Sequence, residues 1–553
     1  MVPQWSTPHI CQCLSRLLTF RRNSFITIFG QRRKTGQQFV QNVLRIAGDV
    51  SDLGLRPGDV VAVCALNSDL YLEWLLAVTY VGGIIAPLNY RWSFEESKLA
   101  LEVIKPVMIV TDDSCTWSSE LQTLNMLSPR WHASIDSYTS TTNSMENVID
   151  RDQPLFIKYC WAAEDAAVIC FTSGTTGRPK GVTISHTSLV MQSLAKIAIV
   201  GYTENDIYLH TAPLCHIGGI SSCLAMLMVG GCHVLIPKFV ADMAVEAIRE
   251  NSVTSLITVP TILSDLISAI SYKQPSKQEP SLRKILNGGG SLSTQLIGDA
   301  IKCFPRAKLL SAYGMTETCS SLTFITLYDP YENISNQHSE RTEKLNMIGG
   351  VCVGKAAPHV EIHLSREDCS HVGRIMTRGP HVMIRYWGQI ASAVADSTED
   401  WFDTGDVGQF DVDGNLWLVG RRSGRIKTGG ENVYPEEVEA VLTLHPGISF
   451  VVVTGIPHAR LGEMVVGCIQ LRGDWMWADN SHNTSDVLSC TKPCLSNELL
   501  KEYCRHKCLT GFKIPKVFVV RRKPFPLTST GKLRRDQVQK EAVMLLQYFQ
   551  SNM

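Results

Sequence analysis

Residues 171–181 read Phe-Thr-Ser-Gly-Thr-Thr-Gly-Arg-Pro-Lys-Gly, with four hydroxyls, three glycines and one lysine in eleven positions. Such a segment makes neither a core strand nor a stable helix. Glycine lets the backbone wrap around an anion, free N–H groups and hydroxyls supply donors, and Lys180 adds a point charge. The apolar run Ala166-Ala167-Val168-Ile169-Cys170 predicts a buried strand feeding the loop. The chemistry this predicts is a grip on phosphate by Thr172, Ser173, Gly174, Thr175, Thr176, Gly177 and Lys180. It is not a Walker A loop, which needs Gly-Lys-Ser/Thr opening a helix. Here Pro179 precedes Lys180, Gly181 stands where the magnesium-binding hydroxyl would be, and Pro179 steers Arg178 away from helix.

A second constellation, Ser311-Ala312-Tyr313-Gly314-Met315-Thr316-Glu317-Thr318, follows the strand-like Ala307–Leu310. An aromatic ring, a tight glycine, a hydroxyl and a carboxylate suit base stacking, an α-phosphate contact and a magnesium ligand. Thr404-Gly405-Asp406 sets a carboxylate after a tight turn, suited to ribose hydroxyls. Near the C-terminus, Pro526-Leu527-Thr528-Ser529-Thr530-Gly531-Lys532-Leu533-Arg534 puts Lys532 on a glycine turn.

The elements that must carry these groups alternate between strand-like and helix-like runs through the first 260 residues. Asp59–Cys64, Gly83–Leu88, Pro106–Thr111, Cys232–Ile236 and Ser255–Pro260 read as buried strands, with a helix over Asp69–Val81. After about residue 345 short strands and glycine turns take over, with Asp413-Gly414 a hairpin signal. The fold class is α/β: a large N-terminal domain of two α/β sheet subdomains plus a β-rich subdomain, then a small mobile C-terminal α+β domain. The expected division is residues 1–422 and 423–553, at the Gly-flanked basic segment Gly420–Arg425. The polar stretch 472–497 reads as a surface insertion.

The chain has 553 residues, 44% of them hydrophobic and 19% charged, which supports a large core and excludes global disorder. Lys+Arg and Asp+Glu both number 52, so there is no basic surplus pointing to nucleic acid. The longest apolar candidate for a membrane span, 214–237, is broken by His216, two glycine pairs and His233, and is not read as transmembrane. The 18 cysteines are scattered through apolar runs and read as reduced core thiols. Cys490, Cys494, Cys504 and Cys508 have a C-x3-C-x9-C-x3-C spacing that admits a zinc site, although Cys504 and Cys508 are also expected one turn apart on an amphipathic helix. Residues 1–48 hold seven Lys/Arg and no acid, a transit-peptide composition, and the terminal Ser-Asn-Met loosely resembles the peroxisomal S-K-L address.

Taken together, and with Gly429-Gly430-Glu431-Asn432-Val433-Tyr434-Pro435 added, these motifs resemble the adenylate-forming acyl-CoA synthetase superfamily over about residues 25–540. The resemblance implies a two-step reaction using ATP, Mg2+ and coenzyme A. A carboxylate attacks the α-phosphate to give acyl-AMP and pyrophosphate, and a thiol then displaces AMP. It implies that the 172–180 loop holds the β- and γ-phosphates, and that Tyr313 and Gly314 hold adenine. Thr316 would contact the α-phosphate, Glu317 bind Mg2+, Asp406 and Arg421 bind ribose, and Lys532 bridge the carboxylate and the α-phosphate. The small domain rotates between steps in such enzymes. Ser423 takes the hinge position, where Asp or Lys is usual, and Gly429 and Gly430 border the thiol's tunnel.

Pro213-Leu214-Cys215-His216-Ile217-Gly218-Gly219 matches the acyl-pocket segment, with His216 as its gate. Asn287, Gly288 and Gly289 line the pocket and the adenine site. Gly-Arg-Arg-Ser at 420–423 and the 429–435 segment resemble the 2-succinylbenzoate-CoA ligases of phylloquinone synthesis, and Pro87–Ser93 and His9–Leu14 resemble their plant members. Coumarate ligases carry Tyr-Lys-Gly-Phe-Gln-Val where this chain has Thr428–Val433, whereas medium-chain acyl-CoA synthetases share Gly-Gly-Glu-Asn. Both ligase groups stay open as alternatives, as does a nucleotide-binding protein without catalysis.

Overall fold

The computed structural model describes residues 7–115, 117, 129–136, 158–172, 179–272, 280–331, 350–366, 371–389, 401–421, 424–428, 431–458, 461–478, 493–507, 509, 511–527 and 533–551. The chain forms two compact units, one of residues 1–332, 355–362 and 377–402, the other of 333–354, 363–376 and 403–553.

The first unit carries the expected pair of α/β sheets. In one, six parallel strands run in the order Lys308–Tyr313, Lys284–Asn287, Ser255–Thr258, Ile207–His210, Cys232–Leu235 and Phe25–Phe29. Antiparallel Thr323–Tyr328 and Arg32–Thr35 border them. In the other, the order is Arg385–Tyr386, Lys180–Ser185, Ala166–Thr172, Ile84–Pro87, Val60–Cys64, Met108–Thr111 and Trp131–Ser134. Every residue of Val60–Cys64 and Ile84–Pro87 is buried, as parallel strands covered on both faces require.

Local chemistry starts the helices where the strands release them. Thr35 and Gln38 form a capping box at the head of Gly36–Asp52, as do Ser93 and Glu96 before Phe94–Ile104. Ser68 caps the helix Asp69–Tyr80, every residue of which except Tyr80 is buried. That helix buries Asp69 and Glu73 but pairs them, Lys34 Nζ standing 2.9 Å from Asp69 and 2.6 Å from Glu73.

Most residues of the β-rich strands Glu361–Ser365, Gly373–Arg378, Phe402–Phe410, Leu416–Arg421 and Val351–Ala356, which neighbour one another in that order, fall in the second unit. It also holds a small α+β layer in which Glu431–Val433, Ile426–Thr428, Gly462–Leu471, Ile448–His458 and Val517–Val520 form one sheet. Helices Pro435–Thr443, Asn497–His506 and Arg535–Ser551 belong to this part. Arg535 anchors the last helix through both guanidinium nitrogens to Glu439, at 2.5 and 2.7 Å.

One expectation needs correction here. The ends of the 472–497 stretch are built into the fold: Met476–Trp477 pairs with Cys494–Leu495, and Leu495 is in the core. Cys504 lies on the helix Asn497–His506. Cys490 and Cys508 lie outside the described residues, and Cys504 is buried. All described cysteines are free thiols.

Candidate active site

The Gly/Ser/Thr-rich segment lies between two paired strands. Ala166–Thr172 pairs antiparallel with Lys180–Ser185, and Thr172 and Lys180 are the last rung. Ser173, Gly174, Thr175, Thr176 and Gly177 lie outside the described residues. Lys180 is exposed, and its Nζ lies 5.0 Å from the centre of the Tyr386 ring, a cation–π contact.

Tyr386 is a residue that the sequence reading missed. It sits on the two-residue strand Arg385–Tyr386, held to the hairpin by register with Val182 and Thr183 and by a hydrogen bond from Trp387 N to Gly181 O at 2.7 Å. Its hydroxyl donates to Glu317 Oε1 at 3.0 Å. Burial, and then the Glu317 charge, push the phenol well above its ordinary pKa, so it stays a donor at any physiological pH. Lys180, Tyr386 and Glu317 thus form one continuous contact chain. The sequence signal was the aromatic pair Tyr386-Trp387 closing a strand-like Met383-Ile384-Arg385 run.

Glu317 is placed by backbone constraint. Strand Lys308–Tyr313 ends at Tyr313, and Thr316–Thr318 forms a 3-10 turn. Thr318 Oγ1 accepts from Met315 N at 3.2 Å, Ser320 N donates to Met315 O, and Leu322 N donates to Tyr313 O. Cys319 and Ser320 have φ of 52° and 96°, a left-handed reversal that non-glycine residues adopt only when their surroundings enforce it. Gly314 is obligatory, since a Cβ there would stand 1.7 Å from Ser320 O. Met383 N donates to Glu317 O at 2.8 Å, and Glu317 is 7% exposed. A carboxylate so enclosed, with one oxygen already engaged by a phenol, is pre-set to offer the other to a hard cation such as Mg2+.

Strand Lys284–Asn287 runs beside Lys308–Tyr313, with Asn287 opposite Ser311. Asn287 is fully buried. Its Nδ2 donates to Gly290 O at 2.7 Å and Ser311 Oγ at 3.1 Å, while among the described residues its Oδ1 has no partner. Gly288 faces open space, with nothing within 4 Å of a built Cβ, and Gly289 has φ +70°. An orphaned buried acceptor beside an open glycine wall fits an occupant bearing N–H donors, such as a purine.

His216 precedes helix Ile217–Val229 in extended conformation, half-buried, its N–H on Pro213 O at 3.2 Å. The same helix presents Ser221 and Ser222 to Lys196, a fully buried lysine that the sequence reading also passed over. Among the described residues, His210, Cys223 and His233 place one ligand atom each within 4.8 Å of one another, all of them buried. His210 and His233 hydrogen-bond at 2.9 Å, and burial pulls His233 down to about 3, so the pair reads as neutral core histidines.

In the second unit, Asp406 and Arg421 face each other across the Phe402–Phe410/Leu416–Arg421 pair, with Nε 3.0 Å from Oδ1. Thr404-Gly405-Asp406 is not a turn between elements but a kink inside a strand. Gly405 has φ +73°, Asp403 Oδ1 accepts from Gly405 N at 2.8 Å, and Thr404 Oγ1 accepts from Asp406 N at 3.1 Å. Lys532, Ser423, Gly429 and Gly430 lie outside the described residues. Leu527 and Leu533, which flank the Lys532 segment, meet in an antiparallel bridge reinforced by Arg534 N on Pro526 O at 2.9 Å.

Among the described residues no helix is long and apolar enough to cross a membrane. The family model for an AMP-binding enzyme matches residues 19–387, and that for an AMP-binding enzyme C-terminal domain matches 437–532. The chain is 51% identical to a 2-succinylbenzoate–CoA ligase, chloroplastic/peroxisomal, of Arabidopsis thaliana, over 99% of both chains. It is similar in structure to an o-succinylbenzoate coenzyme A synthetase of Bacillus subtilis bound to the acyl-adenylate intermediate OSB-AMP, with TM-score 0.74 and 26% identity, covering 96% of this chain and 98% of that one. The same Bacillus enzyme with ATP and magnesium matches at TM-score 0.75 and 27% identity, covering 96% and 99%. The chain that places a carboxylate on a strained turn and ties it through a phenol to the lysine of a β-hairpin is a member of the AMP-binding enzyme family of ATP-dependent acyl-CoA ligases.

Proposed function

We propose that this chain joins 2-succinylbenzoate to coenzyme A with ATP, releasing AMP and pyrophosphate, in phylloquinone synthesis. The observation that carries the reading is the 51% identity, sustained over 99% of both chains, to the Arabidopsis ligase.

One carboxylate oxygen of the acid attacks the α-phosphorus of ATP, and the bond to pyrophosphate breaks. The thiol sulfur of coenzyme A then attacks the acyl carbon, and AMP leaves. Magnesium, when bound, neutralises phosphate charge. The chain's own part is positioning and charge placement. Thr172, Lys180 and the loop between them hold the β- and γ-phosphates, and Tyr313 stacks on adenine against the Asn287–Gly289 wall. Thr316 contacts the α-phosphate, Glu317 holds Mg2+ with its orientation set by Tyr386, and Asp406 and Arg421 hold the ribose. Lys532 neutralises charge as the adenylate forms, and His216 closes over the acid. The domains divide at 422/423, Ser423 is the hinge, and Gly429 and Gly430 border the thiol's path. The acid-free basic segment 1–48, the terminal Ser-Asn-Met and the compartments named for the Arabidopsis relative support a chloroplast or peroxisome address.

The test is AMP release by purified protein with Mg-ATP and coenzyme A across 2-succinylbenzoate, 4-coumarate, benzoate and octanoate. Preference for succinylbenzoate is the expected result. Preference for coumarate or octanoate would overturn the substrate while leaving the reaction type.

A further inference from the structure

Lys196 closes the helix His186–Lys196 and has no exposed surface. Its Nζ donates to Ser221 Oγ at 2.6 Å, Ser222 Oγ at 3.0 Å and Ser320 Oγ at 3.3 Å. Among the described residues no carboxylate joins this group. An ammonium enclosed without a counter-charge is costly, and burial lowers its pKa to about 7. As a strut between three serines, a neutral amide would serve without that cost. The chain also leaves α-helical geometry immediately after Lys196, with Ile197–Gly201 forming a π-helical turn, a distortion common at functional positions.

The location of the cluster gives the lysine its purpose. Ser221 and Ser222 stand on the helix that begins next to His216. Ser320 lies on the turn that carries Thr316 and Glu317, half-exposed, its carbonyl against Gly314. Ala195 and Ile197, on either side of Lys196, pack in one cluster with Ala312, Tyr313 and Leu286. The ammonium therefore sits where the acid-binding helix meets the nucleotide-binding turn, and Ser320 is its open side.

We infer that Lys196, with the hydroxyls of Ser221, Ser222 and Ser320, receives the second carboxylate of a dicarboxylic substrate, the one that is not adenylated. This rests on the proposed reading of the acid as 2-succinylbenzoate. The incoming carboxylate replaces the Ser320 contact, the longest of the three, and supplies the missing counter-charge. The Ser320 hydroxyl then turns its proton toward it, while Ser221 keeps its own on Ile217 O at 2.7 Å and accepts from Lys196, so the ammonium and Ser320 give charge-assisted donors.

The experiment compares kcat/KM for AMP release with 2-succinylbenzoate against two acids that each lack one carboxylate, 4-oxo-4-phenylbutanoate and 2-butanoylbenzoate. Parent enzyme, Lys196→Met, Lys196→Arg and Ser222→Ala are assayed alike. The parent is expected to prefer the dicarboxylate over whichever monocarboxylate it turns over by about 100-fold. Lys196→Met is expected to collapse that ratio to within about threefold, Lys196→Arg to restore part of it, and the milder Ser222→Ala to reduce it about tenfold. A Lys196→Met enzyme that keeps the parent's ratio, or loses both acids equally, overturns the inference and leaves the substrate reading standing. A parent without preference for the dicarboxylate overturns the substrate reading first, and this inference with it.

Discussion

Replacing Tyr386 by Phe deletes one oxygen and leaves the ring that lies 5.0 Å from Lys180 Nζ. The lost group is the donor to Glu317 Oε1 at 3.0 Å, and the acceptor is a carboxylate only 7% exposed. Hydrogen bonds to charged groups are worth about 1.5–3 kcal/mol net. If Tyr386 keeps Glu317 in its catalytic orientation, that energy is lost from the adenylation barrier, where about 1.4 kcal/mol is a factor of ten. The expected fall is therefore ~10–100-fold in kcat/KM for Mg-ATP, read by ATP–pyrophosphate exchange at several magnesium concentrations. Thioester formation from preformed acyl-adenylate needs no pyrophosphate chemistry and should stay within about threefold of the parent. Exchange at the parent's rate would refute the idea that the phenol orients Glu317. Equal losses in both half-reactions would show instead that the contact supports the fold as a whole.

Gly314→Ala would drive a methyl to 1.7 Å from Ser320 O and 2.8 Å from Ser321 Cα, both backbone, so the turn must shift. A destabilisation of about 1–3 kcal/mol or more is expected by chemical denaturation, together with loss of pyrophosphate exchange; an unchanged midpoint would show that the turn opens freely. Lys196 is a base whose pKa falls from 10.5 to about 7 on folding, so the unfolded chain binds more protons between those values. Its contribution to stability should rise with pH from about 7 to 10.5, by at most about 1.4 kcal/mol per unit, and a melting series should lose that slope in Lys196→Met. Lys532→Ala should abolish adenylation and spare thioester formation from preformed acyl-adenylate; equal loss in both would contradict its assigned role.

Much of this site was legible because its chemistry is local in sequence. The strand before the phosphate loop, the strand before Tyr313 and the helix after Ser68 fall where periodicity and caps put them. Gly314 and Gly405 were visible as turns, although only coordinates reveal that Gly405 kinks a continuous strand and that Gly314 yields its side-chain space to Ser320. Tyr386 escaped notice because its meaning is long-range: a two-residue strand has no periodicity, and nothing in Ile-Arg-Tyr-Trp names Glu317 as its partner. Lys196 escaped for the opposite reason. Gln192, Ser193 and Lys196 are polar residues of one helix, yet all three are buried, and Lys196 meets helix Ile217–Val229 through Ser221 and Ser222. Which side of a helix meets another is settled by packing between elements distant in sequence, and polar residues there are read correctly only once their partners are known.

The reversal that follows Glu317 has a consequence for oxidation. Cys319 occupies it, between the carboxylate and Ser320, with its sulfur wholly enclosed. Burial raises the thiol to about 12, and Lys196 only partly offsets this. Peroxides attack the thiolate, and at pH 8 roughly one molecule in ten thousand carries it. A cysteine two residues from Glu317 would be open to oxidation if its sulfur reached solvent. Here the strained reversal that follows Glu317 keeps the sulfur inside, so this position of the turn is shielded from peroxide.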